Sequence, residues 1–366
     1  MTKKKLKKFK SDRLKKAIEK IPSRKSEAAA EDKLKGALSD VSKITEETLP
    51  EHREEVLGSA RKYIYPLKHS RHHFVRLSLG LLLAAVVIFF VYSTLEIYYF
   101  QSSSDFIYSI SEVLPFPAAK AGSSWVSYYS YLFELRRNIH YYETQQGANF
   151  SSANGKLELT SLKKQAMDQV VLNAYVKQLA SKNKVKVTDA AVNNQITLVR
   201  QQNRLGNSNQ VLQSVLKDYW GWTMSDFKQE LTQELLQQAV VAQLDTATNQ
   251  KANLVYSQLK TGATFSTEAL QYSDDTSTKS NGGQYSFAIT PSTQSVAPQI
   301  ASEVFNLKPG DISPIINTGY ALDIIKDVSS TGNSVQAADI QFNFQPINVY
   351  TDPLEKASPP RQYIHI

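Results

Sequence analysis

The sequence predicts an α+β chain held by a single transmembrane helix, with a long helical region followed by a small antiparallel sheet surrounded by helices. Three observations predict it. Residues 74–95 read FVRLSLGLLLAAVVIFFVYSTL, an apolar run whose one charge is Arg76, near its start. Residues 125–262 place their apolar side chains mostly at helical spacing. Residues 265–328 instead alternate short β-rich and helical pieces, separated by Gly282-Gly283, Pro291, Pro298, Pro309-Gly310 and Gly319. Turns at those points need backbone angles that only Gly or Pro adopts cheaply.

A length of 366 residues allows two or three domains. The net charge of +8 is unevenly spread: residues 1–73 hold 20 Lys and Arg against 11 Asp and Glu, while residues 74–366 are nearly balanced, 22 against 23. The basic character therefore belongs to an N-terminal arm, residues 1–73. There is no cysteine, which excludes disulfides, thiolate nucleophiles, zinc knuckles and lipoprotein acylation. Gly-rich phosphate loops, HExxH and GxSxG are also missing, and no metal or cofactor is expected.

Residues 1–60 carry few aromatics and too little apolar surface to offset chain entropy, so they are read as disordered or loosely helical. A basic tail is attracted to anionic lipid or to nucleic acid. Nothing in it reads bases, so a solvated arm with some lipid attraction and no specific nucleic acid is expected. The apolar segment, residues 74–97, is long enough at ~1.5 Å per residue to cross a hydrocarbon core of ~30 Å. Tyr92, Tyr98 and Tyr99 would mark one interface, and Lys68, Arg71 and Arg76 the other. A cleaved signal peptide is not expected, given the long polar region before the run and the distance to Ala119-Lys120-Ala121. Positive charge before the segment puts the N-terminus in the cytoplasm of a single-pass cell-membrane protein, with everything after Phe100 outside.

Residues 101–245 read as a helical domain. Pro115 and Pro117 impose extended backbone, and Trp125 to Tyr142 follows as an aromatic amphipathic helix. Its aromatic cluster has two readings, a core face or a surface for client peptide. SLKKQAMDQVVLNAYVKQLASKNK places Leu162, Ala166, Val170, Ala174 and Leu179 near one helix face. Thr188 caps the next helix, which supplies Ala191, Ile196 and Val199, and QVLQSVLKDYWGWTMSDF adds another with a break at Gly221 and a cap at Ser225. The pattern helix, K-V-x-V-T-D-x-x-V, helix, W-T-x-S-D-F-K-Q-E-L, over residues 114–244, resembles the N-terminal chaperone domain of SurA-like and PrsA-like foldases.

Residues 246–330 resemble the parvulin, or PpiC-type, peptidyl-prolyl isomerase domain. The matching order is a helix ending at Gly262, Phe265, YSDD, GGQYSF, an apolar helix closed by VFNLKPGDIS, and the strand GYALDIIK. One departure is plain. The family opens with a strand R-H-I-L, whereas here AQLDTATNQKA stands in that place and the chain is expected to pass helically, or with one kink, between modules. SVQAADIQFNF alternates as a strand should, resembles the family's A-R-H-I-L-F, and puts Asp339 at the histidine position. Residues 337–344 are thus expected to pair antiparallel in the vacant slot of a permuted sheet. Residues 331–366 would complete that sheet, ending in a short strand from Tyr363 to Ile366.

The resemblance assigns the site residue by residue. Asp275 takes the Asp/Cys position and Thr318 a hydroxyl position, both as catalytic candidates. Tyr285, Val296, Ile300, Phe305, Asn317 and Ala321 are the substrate-binding set, with Ala321 standing for the histidine of GYH. The residues themselves also admit plainer readings: Val296, Ile300 and Phe305 as helix core, Asp274 or Asp275 as a helix cap, and Ala321 as sheet core. Neither central histidine of the family is present: the chain's six are His52, His69, His72, His73, His140 and His365. What the resemblance implies is a membrane-anchored extracytoplasmic foldase that binds unfolded or partly folded exported proteins, with X-Pro isomerisation as its activity, weakened or lost without those histidines. The alternative is a catalytically inactive holdase or envelope assembly scaffold.

Overall fold

The structure, a computed structural model, describes residues 49–64, 67–206 and 208–366. The reading of the arm as disordered therefore lies outside the described residues up to position 48, whereas Leu49–Ile64 forms helix α1. The chain divides into two compact units between Val87 and Ile88. Helix α2, Leu67–Thr94, runs on into a π-helical turn, Leu95–Tyr99. Among the described residues one helix, His73–Tyr99, is long and apolar enough to cross a membrane, with a mean hydropathy of 2.6.

In the second unit the helical region comprises α3 (Asp105–Val113), α4 (Tyr128–Gln145), α5 (Ala153–Lys182), α6 (Asp189–Gln202), α7 (Asn209–Trp220) and α8 (Met224–Leu244). Each starts at a side-chain cap, because a Ser or Thr oxygen there satisfies a backbone N–H that the helix leaves unpaired. The caps are Ser104, Ser127, Ser152, Thr188, Ser208 and Thr223. Thr223, rather than the expected Ser225, caps α8, and Asp226 returns a bond to its N–H. Gly221 ends α7 at φ 68°, in the left-handed region that favours glycine.

Two features correct the sequence reading of this region. Trp125 is not helical: Pro117–Ala121 (β1) and Ser124–Ser127 (β2) form a hairpin before α4. The terminal strand lies at Arg361–Gln362 (β6) and pairs with β1 instead of joining the C-terminal module's sheet. The helix between them in sequence, α12 (Asn348–Ala357), packs Leu354 against the helical core. The aromatic cluster is core: Tyr128, Tyr131 and Leu132 are fully buried among Leu162, Met167 and Tyr175 of α5. A neighbouring core joins Phe133, Ile196, Leu212, Leu216, Trp222 and Phe227, with Phe133 and Trp222 stacked at 5.6 Å.

The expected kink falls at Asp245. Its Oδ1 caps α9 (Thr246–Lys260) by accepting from Thr248 N–H at 3.0 Å, and its Oδ2 accepts from Gln345 N–H at 2.8 Å. The module that follows holds α10 (Phe265–Tyr272), α11 (Pro298–Val304), β3 (Ile316–Asn317), β4 (Ala321–Thr331) and β5 (Ser334–Asn343), in sheet order β3-β4-β5. The strand read at residues 337–344 is therefore in the sheet, antiparallel to β4, with Ile324 opposite Ile340. Its other edge is covered by the segment after the glycine pair: Gln284 bridges Ala338, and Ile289 bridges Val335. β5 thus occupies the interior of the sheet, where the missing first strand was expected. At Gly283, φ is +85° and an added Cβ would stand 2.3 Å from the Asp339 carbonyl oxygen, so only glycine allows this approach.

Alternation along β4 and β5 gives the sheet two different faces. Leu322, Ile324, Ala338, Ile340 and Phe342 pack against Ala252, Val255 and Leu259 of α9 and Phe265 and Ala269 of α10. The opposite face carries Ile325, Val335 and Ala337 under Ile289 and α11's Ile300 and Val304. On that face the period also places Asp323 and Asp339.

Candidate functional site

A cavity of about 540 Å³ opens over that second face. One wall is apolar, Tyr285, Phe287, Val296 and Ile300; the rest is polar, including Asp275, Thr278, Thr318, Asp323, Asp339 and Gln341. Among its lining residues there is no Lys, Arg or His.

Five of the residues expected from the sequence meet here: Asp275, Tyr285, Val296, Ile300 and Thr318. Three do not line this cavity. Phe305 lines an adjacent one of about 330 Å³ with Val296, Gln202 and Arg204, where α6 meets the module. Asn317 is exposed on β3 and accepts from Gly319 N–H at 2.8 Å, closing the turn. Ala321 is buried in the sheet, 3 % exposed. The residue of β4 that reaches the cavity is Asp323, two positions further on, which sequence reading passed over. The available signal was a lone charge in the apolar run ALDII, which has to find polar partners once the strand is buried.

Asp275 is held by the chain just after it. Its Oδ1 accepts from Ser277 N–H at 2.9 Å and Ser277 Oγ at 2.7 Å, and its Oδ2 from Thr278 Oγ1 at 2.6 Å. Partial burial pushes its carboxyl up, but the bonds from Thr278 and Ser277 outweigh it and hold the carboxyl below the ordinary range, so Asp275 is an anion at neutral pH. Asp274 is structural: its Oδ2 accepts from Asn343 N–H at 3.0 Å and its Oδ1 pairs with Lys251 at 3.0 Å, pinning the turn to β5.

Asp323 and Asp339 lie at the bottom, 0 % and 1 % exposed. Asp323 accepts from Thr318 Oγ1 at 2.9 Å and from Gln341 Nε2 at 3.2 Å. Asp339 Oδ2 accepts from Tyr285 Oη at 3.2 Å, and the Asp339 and Asp323 carboxyls hydrogen-bond each other. Burial raises both carboxyls, Asp323 to about 6 against the bonds from Thr318 and Gln341. Asp339 is pushed higher, by burial and then by the charge of Asp323. The better-bonded Asp323 ionises first, and Asp339 keeps the proton and donates it to Asp323. Burial, followed by the Asp339 charge, drives the Tyr285 phenol far above its ordinary range, so it remains a neutral donor.

The arrangement can bind a small apolar ring against Val296 and Ile300 while presenting hydroxyls and carboxyls to an adjacent amide. Among the described residues no cluster of three or more His, Cys, Asp or Glu stands ready for a metal ion.

Comparison with known proteins places two families on the chain. A SurA-like N-terminal domain matches residues 67–241, and the PPIC-type PPIASE domain matches residues 233–328. A foldase protein PrsA of Caldanaerobacter subterraneus subsp. tengcongensis is 26% identical over 193 residues, 48% of this chain and 60% of that protein. A parvulin-like PPIase of Rickettsia typhi is 30% identical over 90 residues, 25% of this chain and 32% of the relative. The chain thus spans less than two thirds of either relative's length. Among solved structures, the foldase protein PrsA of Streptococcus pneumoniae is 17% identical, covers 66% of this chain and 85% of its own, and superposes at a TM-score of 0.18.

Proposed function

The chain joins a SurA-like N-terminal domain to a PpiC-type peptidyl-prolyl isomerase domain, and from that premise we propose that it is a membrane-anchored foldase whose cavity over the β4–β5 face receives proline-containing segments of unfolded exported proteins. The carrying observation is the pairing in one cavity of an apolar wall, Val296 and Ile300, with hydroxyl donors fixed by buried carboxyls, Tyr285 on Asp339 and Thr318 on Asp323.

Isomerisation needs no covalent step. The barrier is ~18–20 kcal/mol because the twisted amide loses resonance, so a site that holds the ring and favours the twisted amide lowers it. Val296 and Ile300 are the ring wall in this reading. Tyr285 and Thr318 supply the polar contacts, with Asp275 as the anion at the rim. The helix His73–Tyr99 is the anchor, and the excess of Lys and Arg before it puts the arm in the cytoplasm and both domains outside.

A second reading, a holdase with no isomerase activity, is favoured by one observation: Asp339 and Ala321 stand at the two positions where the resemblance leads one to expect histidines. One assay separates the two. The full chain in detergent micelles is tested on a proline tetrapeptide and on an aggregating client. Isomerisation above background supports the foldase; background isomerisation with suppressed aggregation leaves the holdase. An unchanged rate in Asp275→Ala removes that residue from the site.

A further inference from the structure

The outer end of the apolar helix is built into the helical domain. Ser93 and Ile97, at i and i+4 on one side of that end, are 0 % exposed, and Ile97 packs with Ile107 and Tyr128 in the domain's core. Tyr98 Oη donates to the Pro117 carbonyl at 3.0 Å, and Tyr128 Oη donates to the Ser102 carbonyl at 3.1 Å in the turn that follows. That turn sends the chain back along the helix it has just left. Helix α3 begins at Asp105, and the Phe106 ring lies 6.1 Å from that of Tyr92. Tyr92 precedes the end of the apolar segment, Tyr99, by ~10 Å of helix axis at ~1.5 Å per residue. The segment has 27 residues, more than the ~20 that a hydrocarbon core of ~30 Å requires, so its last turns reach the headgroup layer. Phe106 therefore stands at the depth of Tyr92, where hydrocarbon gives way to headgroups.

Two stripes run side by side along α3. Phe106, Ile110 and Val113 follow at i, i+4 and i+7, and so do Asp105, Ser109 and Glu112. Phe106 and Val113 are 52 % and 78 % exposed, whereas Ile107 and Ser111 on the inner face are buried. Asp105, the charge next to Phe106, pairs with Arg136, which also donates to the Ser103 carbonyl at 2.6 Å. The charge nearest the apolar stripe is thus balanced within the domain.

We propose that α3 is a second membrane contact: its stripe of Phe106, Ile110 and Val113 seats in the interfacial layer of the bilayer beside the span and holds the body of the protein close over the lipid. The inference rests on the membrane-anchored reading and adds to it a surface whose partner is the lipid itself. A protein partner would have to reach Phe106 at the depth of Tyr92, inside the lipid that surrounds the span, so lipid is the occupant already in place. Aromatic and apolar side chains suit a layer that is apolar on one side and wet on the other. The contact is apolar in kind. Helix α3 carries no Lys or Arg, and its polar stripe ends in Glu112, so the contact owes nothing to anionic headgroups, unlike the attraction of a basic arm.

The chain has no cysteine, so a single introduced one reports a single site. The full chain is labelled with an NBD fluorophore at Phe106→Cys, at Val113→Cys, at Leu83→Cys within the apolar segment, or at Leu254→Cys, an exposed apolar position on α9. It is then reconstituted into phosphatidylcholine vesicles with and without phosphatidylglycerol. Lipids carrying a doxyl group near the headgroup or deep in the acyl chain quench by contact. The Phe106→Cys and Val113→Cys labels are expected to lose at least ~3-fold more fluorescence to the shallow quencher than the Leu254→Cys label, in both lipid mixtures and at low and high salt. The Leu83→Cys label answers to the deep quencher. If it does so while both α3 labels behave like Leu254→Cys, the α3 contact is overturned, the stripe is left to a protein partner, and the anchor stands. Quenching on α3 that appears only with phosphatidylglycerol also overturns the apolar contact. If Leu83→Cys is unquenched as well, the anchor and the contact fall together. Phe106→Cys alters the contact with Tyr92, whereas Val113 is replaced without touching the core, so its label decides where the two disagree.

Discussion

Replacing Asp323 by Asn tests whether the buried acid pair is a source of pH-dependent instability. In the folded chain the Asp323 carboxyl sits at about 6, against an ordinary value of 3.8. Because the folded value is raised, the contribution of this group to stability is full below about pH 4 and is lost as pH rises through about 6. The gap of roughly two pH units is worth ~3 kcal/mol, and with no exposure to solvent there is no reason to discount it for screening. Asn keeps the shape, accepts from Gln341 and donates to Thr318, yet has no charge to lose. The unaltered module should therefore lose ~3 kcal/mol between pH 4 and 7.5, and Asp323→Asn should lose much less, ending more stable at neutral pH and about equal at pH 4. All three tryptophans, Trp125, Trp220 and Trp222, lie in the helical region and do not report on this module. The suitable probe is hydrogen exchange at the β4 and β5 amides, Ile324 and Ile340, corrected for the intrinsic effect of pH. A pH slope that is flat in the unaltered chain, or identical in the variant, would refute the shared-proton account.

Two other substitutions test how the parts are held. Arg137 pairs with Glu134 at 2.7 Å and Glu230 at 2.8 Å, and its guanidinium lies 5.5 Å from the Trp222 ring centre; Arg137→Met strands the buried Glu134 and should cost ~3–5 kcal/mol. Burial already raises Glu134 to about 7, so the deficit should be greater at pH 8 than at pH 5, as read by Trp222 fluorescence during urea unfolding. Gly283→Ala forces a left-handed residue with its Cβ 2.3 Å from the Asp339 carbonyl, and should destabilise the β5 pairing by more than ~2 kcal/mol; unchanged exchange protection at Asp339 and Ile340 would contradict the close approach.

Some of this protein is determined by local sequence. The caps at Ser127, Thr188 and Thr223, the αL end at Gly221 and the apolar helix follow from groups within a few residues of one another. The alternation in SVQAADIQFNF was sufficient to read β5, and the absence of a strand before α9 sufficient to say where it goes, because an unpaired interior strand position has to be filled. Other features depend on long-range contacts. Trp125 was read as helical because its aromatic neighbours have helical spacing, but β1 and the distant Arg361–Gln362 draw it into a sheet. Phe305 keeps its place at the end of α11 but turns toward α6, which only the docking of the two regions decides. Ala321 and Asp323 lie on the same face of one strand, and sequence could not say which of the two sits below the cavity. That choice is made by Tyr285, Thr318 and β5's Asp339, brought together from three separate stretches, and with it the character of the site: a buried pair of acids beneath an apolar wall.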